Sequence, residues 1–199
     1  QQFQQLQAQL QTASAPSATP LLSHDGFEKI DLAVDADYVY TIQNENARNE
    51  TQLRRYRRSD GQAEKLCAFY GRSFDLNRNG QLVYDQLHYG NPFNQWADIA
   101  YTADPTTPAT LISSEQRALY PVISPDGGMV AFVQNAGMAS QLRLLMRRER
   151  TMVDLSALTE NIRFGRLAWA PDGQWLAAEA WYEGGAQNIV LISVSGNFH

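Results

Sequence analysis

The sequence predicts an all-β protein, a β-propeller built from four-stranded antiparallel blades with four blade repeats visible. Three observations carry this prediction. A self-similar segment recurs about every 45 residues. Three of its four copies place a glycine at the same point of a polar turn, at Gly80, Gly127 and Gly173. Apolar segments flank each turn, a third with strand-like alternation follows it, and a fourth, shorter one follows three of the four, which makes four short strands in a full repeat.

The repeat registers as "DLAVDADYVYT" from Asp31, "DLNRNGQLVYD" from Asp75, "VISPDGGMVAF" from Val122 and "AWAPDGQWLAA" from Ala168. Each is an apolar segment, a turn, and a second apolar segment: a tight hairpin. Pro125 and Pro171 preset φ for a turn, and the following Asp-Gly completes it. The first copy has Asp35-Ala-Asp37 where the others have glycine and is the weakest member. Third strands follow at "QLRRYRR", "WADIAYT", "QLRLLMR" and "NIVLISV", and fourth strands at "AEKLC", "PATLIS" and "VDLSALT".

This divides the chain into a Gln/Ala/Ser/Pro-rich tail over 1–19 and a propeller over 20–199, with blades at about 27–67, 71–113, 118–159 and 163–199. The last blade lacks a fourth strand. "TPLLSHDGFEKIDL" is similar to "ATLISSEQRALYPV", so residues 20–24 are a candidate closing strand, which would remove an exposed edge. The four repeats either close into a small ring or form part of a larger propeller.

Composition narrows the function classes. A net charge of -5 over 199 residues argues against general nucleic-acid binding, which depends on neutralising phosphates. The basic stretches "RRYRR" (54–58) and "RRER" (147–150) read as solvated third strands whose guanidinium groups pair with neighbouring acids. No apolar run reaches the length of a membrane span. A single cysteine, Cys67, excludes an internal disulfide framework and reads as a small buried hydrophobe. The tail has the composition of a tether following a cleaved export leader.

The stretches "LYPVISPDGGMVAF" (119–132) and "LAWAPDGQWLAA" (167–178) resemble the Ser-Pro-Asp-Gly repeat of the TolB-like β-propellers. The resemblance is strong over about 115–195 and holds in register over 27–113. It implies the propeller fold. For function it implies little, because the same repeat occurs in periplasmic TolB, in the propellers of prolyl-oligopeptidase-like enzymes and in other exported proteins. TolB carries an α/β domain before its propeller, whereas only a short tail precedes the repeats here, so the resemblance is to the family and not to TolB itself. The peptidases carry a Gly-x-Ser-x-Gly elbow, which this sequence lacks.

Individual sites are sparse. Asp75, Asn77 and Asn79, followed by Gly80, have the spacing of a calcium loop, but the twelfth position is Gln86 instead of a bidentate Glu. The stretch is therefore expected to be a turn with at most a weak calcium site, and no other cofactor is expected. None of His24, His88 and His199 has a recognisable catalytic spacing, so no catalytic residue is assigned and the chain reads as non-enzymatic. The loops joining second and third strands are the expected partner-binding places. "YGNPFNQW" offers Tyr89, Phe93 and Trp96; "WYEGGAQ" offers Trp181, Tyr182 and Glu183. Aromatics with a polar end suit interfaces, although packing between blades also consumes them. The expected role is an exported, periplasmic scaffold that binds proteins of a bacterial envelope assembly. The alternative is an accessory propeller of a peptidase-like or glycan-active enzyme.

Overall fold

The structure, a computed structural model, describes residues 28–44, 51–91, 94–137, 139–156, 162–185 and 187–194. The tail, the candidate closing strand, Phe93, His24 and His199 lie outside the described residues. Among the described residues every regular element is a β-strand.

Four antiparallel sheets follow one another along the chain. The first holds β1 (Lys29–Val34), β2 (Tyr38–Asn44), β3 (Thr51–Arg57) and β4 (Ala63–Ala68). The second holds β5 (Phe74–Leu76), β6 (Leu82–Asn91), β7 (Asn94–Thr102) and β8 (Thr110–Leu111). The third holds β9 (Ala118–Ile123), β10 (Met129–Ala136), β11 (Ala139–Met146) and β12 (Thr151–Asp154). The fourth holds β13 (Ile162–Trp169), β14 (Trp175–Tyr182) and β15 (Gln187–Ser193), three strands among the described residues. In each sheet the spatial order equals the chain order, as short hairpin connections require. The stretch 147–150 is the turn after β11, so "RRER" lies beyond the third strand instead of within it.

Strand alternation explains how the sheets stack. Leu82 and Tyr84 of β6 join Tyr40, Ile42, Leu53, Phe69 and Phe74 in a core between the first and second sheets. Val83, between them in sequence, points the other way and packs with Ile99, Val130 and Phe132 between the second and third sheets. The strand β10 repeats the pattern one sheet later. Val130 and Phe132 face back, while Ala131 and Val133 face Phe164, Leu167 and Leu176 of the fourth sheet. Middle sheets covered on both faces read as continuous apolar runs instead of alternating ones. The exposed Ile189 and Leu191 belong to β15, on the face of the fourth sheet turned away from the third.

The hairpin turns match their sequence signature. Gly80, Gly127 and Gly173 all have φ between +70 and +77° and donate their N–H to Asn77, Ser124 and Ala170, each three residues earlier. That left-handed conformation is what selects glycine. The first sheet makes its turn without glycine: the Asp35 carboxylate accepts the N–H groups of Asp37 and Tyr38 at 2.8 and 2.7 Å, an Asx turn.

First strands of successive sheets lie side by side, β1 with β5, β5 with β9 and β9 with β13. Polar contacts tie them together. Phe74 donates its N–H to Asp31 at 3.4 Å, Ile123 donates to Asp75 at 2.9 Å, and the Trp169 indole donates to the Val122 carbonyl at 3.1 Å. The fourth contact returns to the start, with Arg166 of β13 paired to Asp31 at 2.9 Å. Asp75 and Val122 occupy the same register position, opposite Val83 and Ala131, whereas Asp31 lies two residues before the corresponding Ala33, on the bulge of β1.

Candidate functional site

Two places gather polar chemistry. The first is at the shared edge of the first strands. β1, β9 and β13 each carry one extra residue relative to their partner strand, at Ile30–Asp31, Tyr120–Pro121 and Gly165–Arg166. A bulge re-aims a side chain out of the strand's ordinary alternation. Tyr120 takes φ 52°, a conformation that is strained for an aromatic residue. Desolvation, opposed by the N–H groups of Ile123 and Leu76, raises the Asp75 carboxyl above the usual carboxylate range, and nearby Asp31 adds to the effect. On the hairpin side a cavity of about 340 Å3 opens beside these residues, between Asp75, Arg78, Ile123, Pro125 and Trp169.

The second place is on β6 and β7. In this antiparallel pair Gln86 opposes Asp98 and His88 opposes Trp96, so His88 and Asp98 are diagonal neighbours. The His88 Nε2 lies 2.7 Å from an Asp98 carboxylate oxygen. Asp98 is fully buried and accepts three further hydrogen bonds, from the Ser113 hydroxyl at 2.9 Å and the N–H groups of Glu115 and Gln116 at 2.8 and 3.0 Å. Burial works against its charge, but the Gln116 N–H, His88 and Ser113 outweigh it, and its pKa is lowered. Asp98 is therefore a carboxylate, and His88 donates Nε2–H to it. The Trp96 ring stands edge-on to the imidazole, with centroids 6.0 Å apart and planes at 89°. Glu115, held through its N–H, has φ 56°. Ser113 bonds the carboxylate and not the imidazole, so the three residues do not form a nucleophile–base–orienter chain.

A second buried acid, Asp85, faces the connector before β5. One oxygen accepts the N–H groups of Arg72 and Ser73 at 2.9 and 2.7 Å and the Ser73 hydroxyl at 3.2 Å; the other has no partner among the described residues. Desolvation, only partly offset by those donors, pushes its pKa up to about 6 from 3.8. A value raised in the folded state makes the fold tolerate the protonated form better. Its contribution is therefore fully present below about pH 4 and lost as pH rises through 6. The difference corresponds to roughly 3 kcal/mol. Asp85→Asn, compared with wild type by urea unfolding at pH 4 and pH 7.5, is expected to gain relative stability at the higher pH. A stability difference equal at both pH values would contradict this account of Asp85.

The residues singled out in the sequence fall as follows. The Asn77 side-chain oxygen accepts the N–H groups of Asn79 and Gln81 at 3.0 and 3.1 Å, and Asp75 accepts that of Ile123. These oxygens close the turn and tie two sheets. Among the described residues no group of three or more His, Cys, Asp or Glu is placed to hold a metal. Trp96 is half-buried, and its buried indole N–H has no partner among the described residues. Trp181 lies over Gly165 so closely that a Cβ there would sit 2.3 Å from the ring, which makes Trp181 a packing residue at the base of the β14–β15 turn. Tyr182 and Glu183, next along, are exposed. Tyr89 lies on β6, the strand that carries His88. Arg55 pairs with Glu64 at 2.7 Å and stacks over Tyr38, Arg57 pairs with Asp60 at 2.9 Å, and Arg147 lies over Tyr101 at 3.4 Å. These guanidinium groups are engaged within the fold.

No family model matches the sequence, and no curated protein matches it. The structure does have close counterparts. It superposes on TolB from Acinetobacter baumannii with a TM-score of 0.72 at 15% identity, over 89% of this chain and 44% of that one. A putative TolB from Agrobacterium tumefaciens gives 0.70 at 13% identity, over 86% and 60%. The fold is a TolB-like β-propeller. An oligogalacturonate lyase in complex with manganese gives 0.67 at 15% identity, over 89% of this chain and 53% of that one. This chain thus spans less than two thirds of each of these proteins. Among the described residues no helix is long and apolar enough to cross a membrane.

The lyase, a puromycin hydrolase and prolyl endopeptidases share the fold, which corrects the expectation that the chain is non-enzymatic. That expectation rested on missing sequence motifs. A motif search sees residues close in sequence, whereas His88 and Asp98 meet across a hairpin, ten residues apart. The structure leaves the chain open to enzymatic chemistry.

Proposed function

We propose that this chain is a propeller unit of an exported protein that binds a protein partner in the bacterial cell envelope through the loops joining second and third strands. The observation that carries the reading is the β14–β15 turn. Trp181 packed on Gly165 anchors its base, and Tyr182 and Glu183 project from it into solvent. An aromatic–acid pair on a fixed base loses little freedom when it binds. Likeness to TolB and the tether-like tail support the envelope setting. Neither a metal nor a nucleic acid enters this reading, and Phe93 and Tyr89 stay further partner-binding candidates from the sequence.

The test is co-purification from a native envelope fraction with Tyr182→Ala, which removes an exposed ring and leaves the packing of Trp181 in place. A partner retained by wild type is expected to be lost or strongly depleted. Unchanged co-purification with the variant would rule out this face.

A second reading, a propeller that recognises or gates substrate for an enzyme, is favoured by the His88–Asp98 pair and by the likeness to a lyase and hydrolases. The complete reading frame separates the two. Further blades favour the first reading, and an α/β-hydrolase pattern favours the second.

A further inference from the structure

We propose that the cleft beside His88, between the first and second sheets, binds a neutral sugar ring, with His88 as hydrogen-bond acceptor and Tyr70 as the face on which the ring stacks. The cleft has a volume of about 470 Å3 and is lined by Thr51, Tyr70, Gly71, Leu87 and His88. That volume suits a small ligand.

The imidazole is set for one task. With Nε2–H given to the buried Asp98 carboxylate, the neutral imidazole has its lone pair on Nδ1, which is then an acceptor. No described group donates to Nδ1, and the side chain is 36% exposed. Trp96 edge-on and Asp98 behind fix the plane of the ring, so the acceptor is in place before any ligand arrives.

The remaining walls define the ligand. Among the described lining residues there is no Asp, Glu, Lys or Arg, so a charged ligand would shed its hydration with none of these to pair with it. Tyr70 is 61% exposed and offers a flat apolar surface with a polar rim. A ligand that satisfies both walls has an apolar face and hydroxyl donors at its edge, which describes a neutral sugar. An extended peptide fits less well, because the backbone here is already paired. Leu87 donates to the Tyr70 carbonyl, Phe69 donates to the Thr51 carbonyl, and the Thr51 hydroxyl bonds the Phe69 carbonyl. Gly71 holds the connector against β6, where a Cβ would lie 1.8 Å from the Asp85 carbonyl oxygen, and so keeps the cleft's floor in place.

The test is an NMR titration of the whole chain with glucose, galactose and N-acetylglucosamine, with galacturonate as the charged control and triglycine as the peptide control. At least one neutral sugar is expected to bind saturably in the millimolar range and to shift the His88 Nδ1 resonance of the wild type. Tyr70→Ala and His88→Ala are each expected to weaken binding about tenfold. The wild-type resonance reports the site even where a variant fails to fold. The proposal is overturned by no saturable sugar binding up to roughly 100 mM, by a Nδ1 resonance that does not move, or by folded variants that bind the sugar as tightly as wild type. Preference for galacturonate or triglycine over every neutral sugar overturns it as well.

Discussion

Phe132→Ala is expected to lower the unfolding free energy by about 3–5 kcal/mol, measured by urea denaturation, and to reduce the yield of folded protein. Phe132 is fully buried on β10, where it packs with Val83, Ile99 and Val130 between the second and third sheets. The substitution removes the ring's transfer free energy and leaves a cavity that two rigid sheets cannot close. It also loosens the seam on which the third sheet is registered against the second. A loss below about 1 kcal/mol would mean that this seam contributes little and that the sheets are held by something else.

Asp98→Ala is expected to cost about 3 kcal/mol or more, because it strands several donors at once. The N–H groups of Glu115 and Gln116 and the Ser113 hydroxyl lose a fully buried acceptor, and Glu115 loses the bond that holds its left-handed backbone. Asp98→Asn keeps an acceptor but places an amide where His88 needs a carboxylate. It is expected to be milder in stability while still disturbing the imidazole tautomer. Paired urea melts and His88 nitrogen shifts report both effects. Equal stability of Asp98→Ala and wild type would show that the connector from 113 to 116 is held independently of Asp98.

Much of the fold was legible because its signals are local. The Asp-Gly and Asn-Gly turns demand a left-handed residue, and the structure places Gly80, Gly127 and Gly173 there. The weak first repeat was legible in a different way, since Asp35 replaces the glycine turn with its own carboxylate. Apolar runs such as Leu82–Tyr84 marked strands, and the structure covers them on both faces. The candidate sites were less legible. The His88–Asp98 contact needs the register of β6 on β7, which no single segment encodes. A cue was present: "HYGNPFNQWAD" holds a histidine and an acid ten residues apart, and they meet once the register of β6 on β7 is known. The bulges that turn Asp31, Tyr120 and Arg166 out of alternation each arise from one extra residue, and such an insertion leaves no trace in composition or period. Trp181 was readable as either packing or recognition, and its contact with Gly165 shows the packing.

The role proposed here depends on partner binding at one end of the sheets, and site-specific photo-crosslinking tests it most directly. A photoreactive residue at position 182 lies at the loop end of β14, and one at position 172 lies at the hairpin end before it. In intact cells the account predicts a discrete crosslinked protein from position 182 and none from position 172. Crosslinks of equal strength from both positions, or from 172 alone, would contradict it.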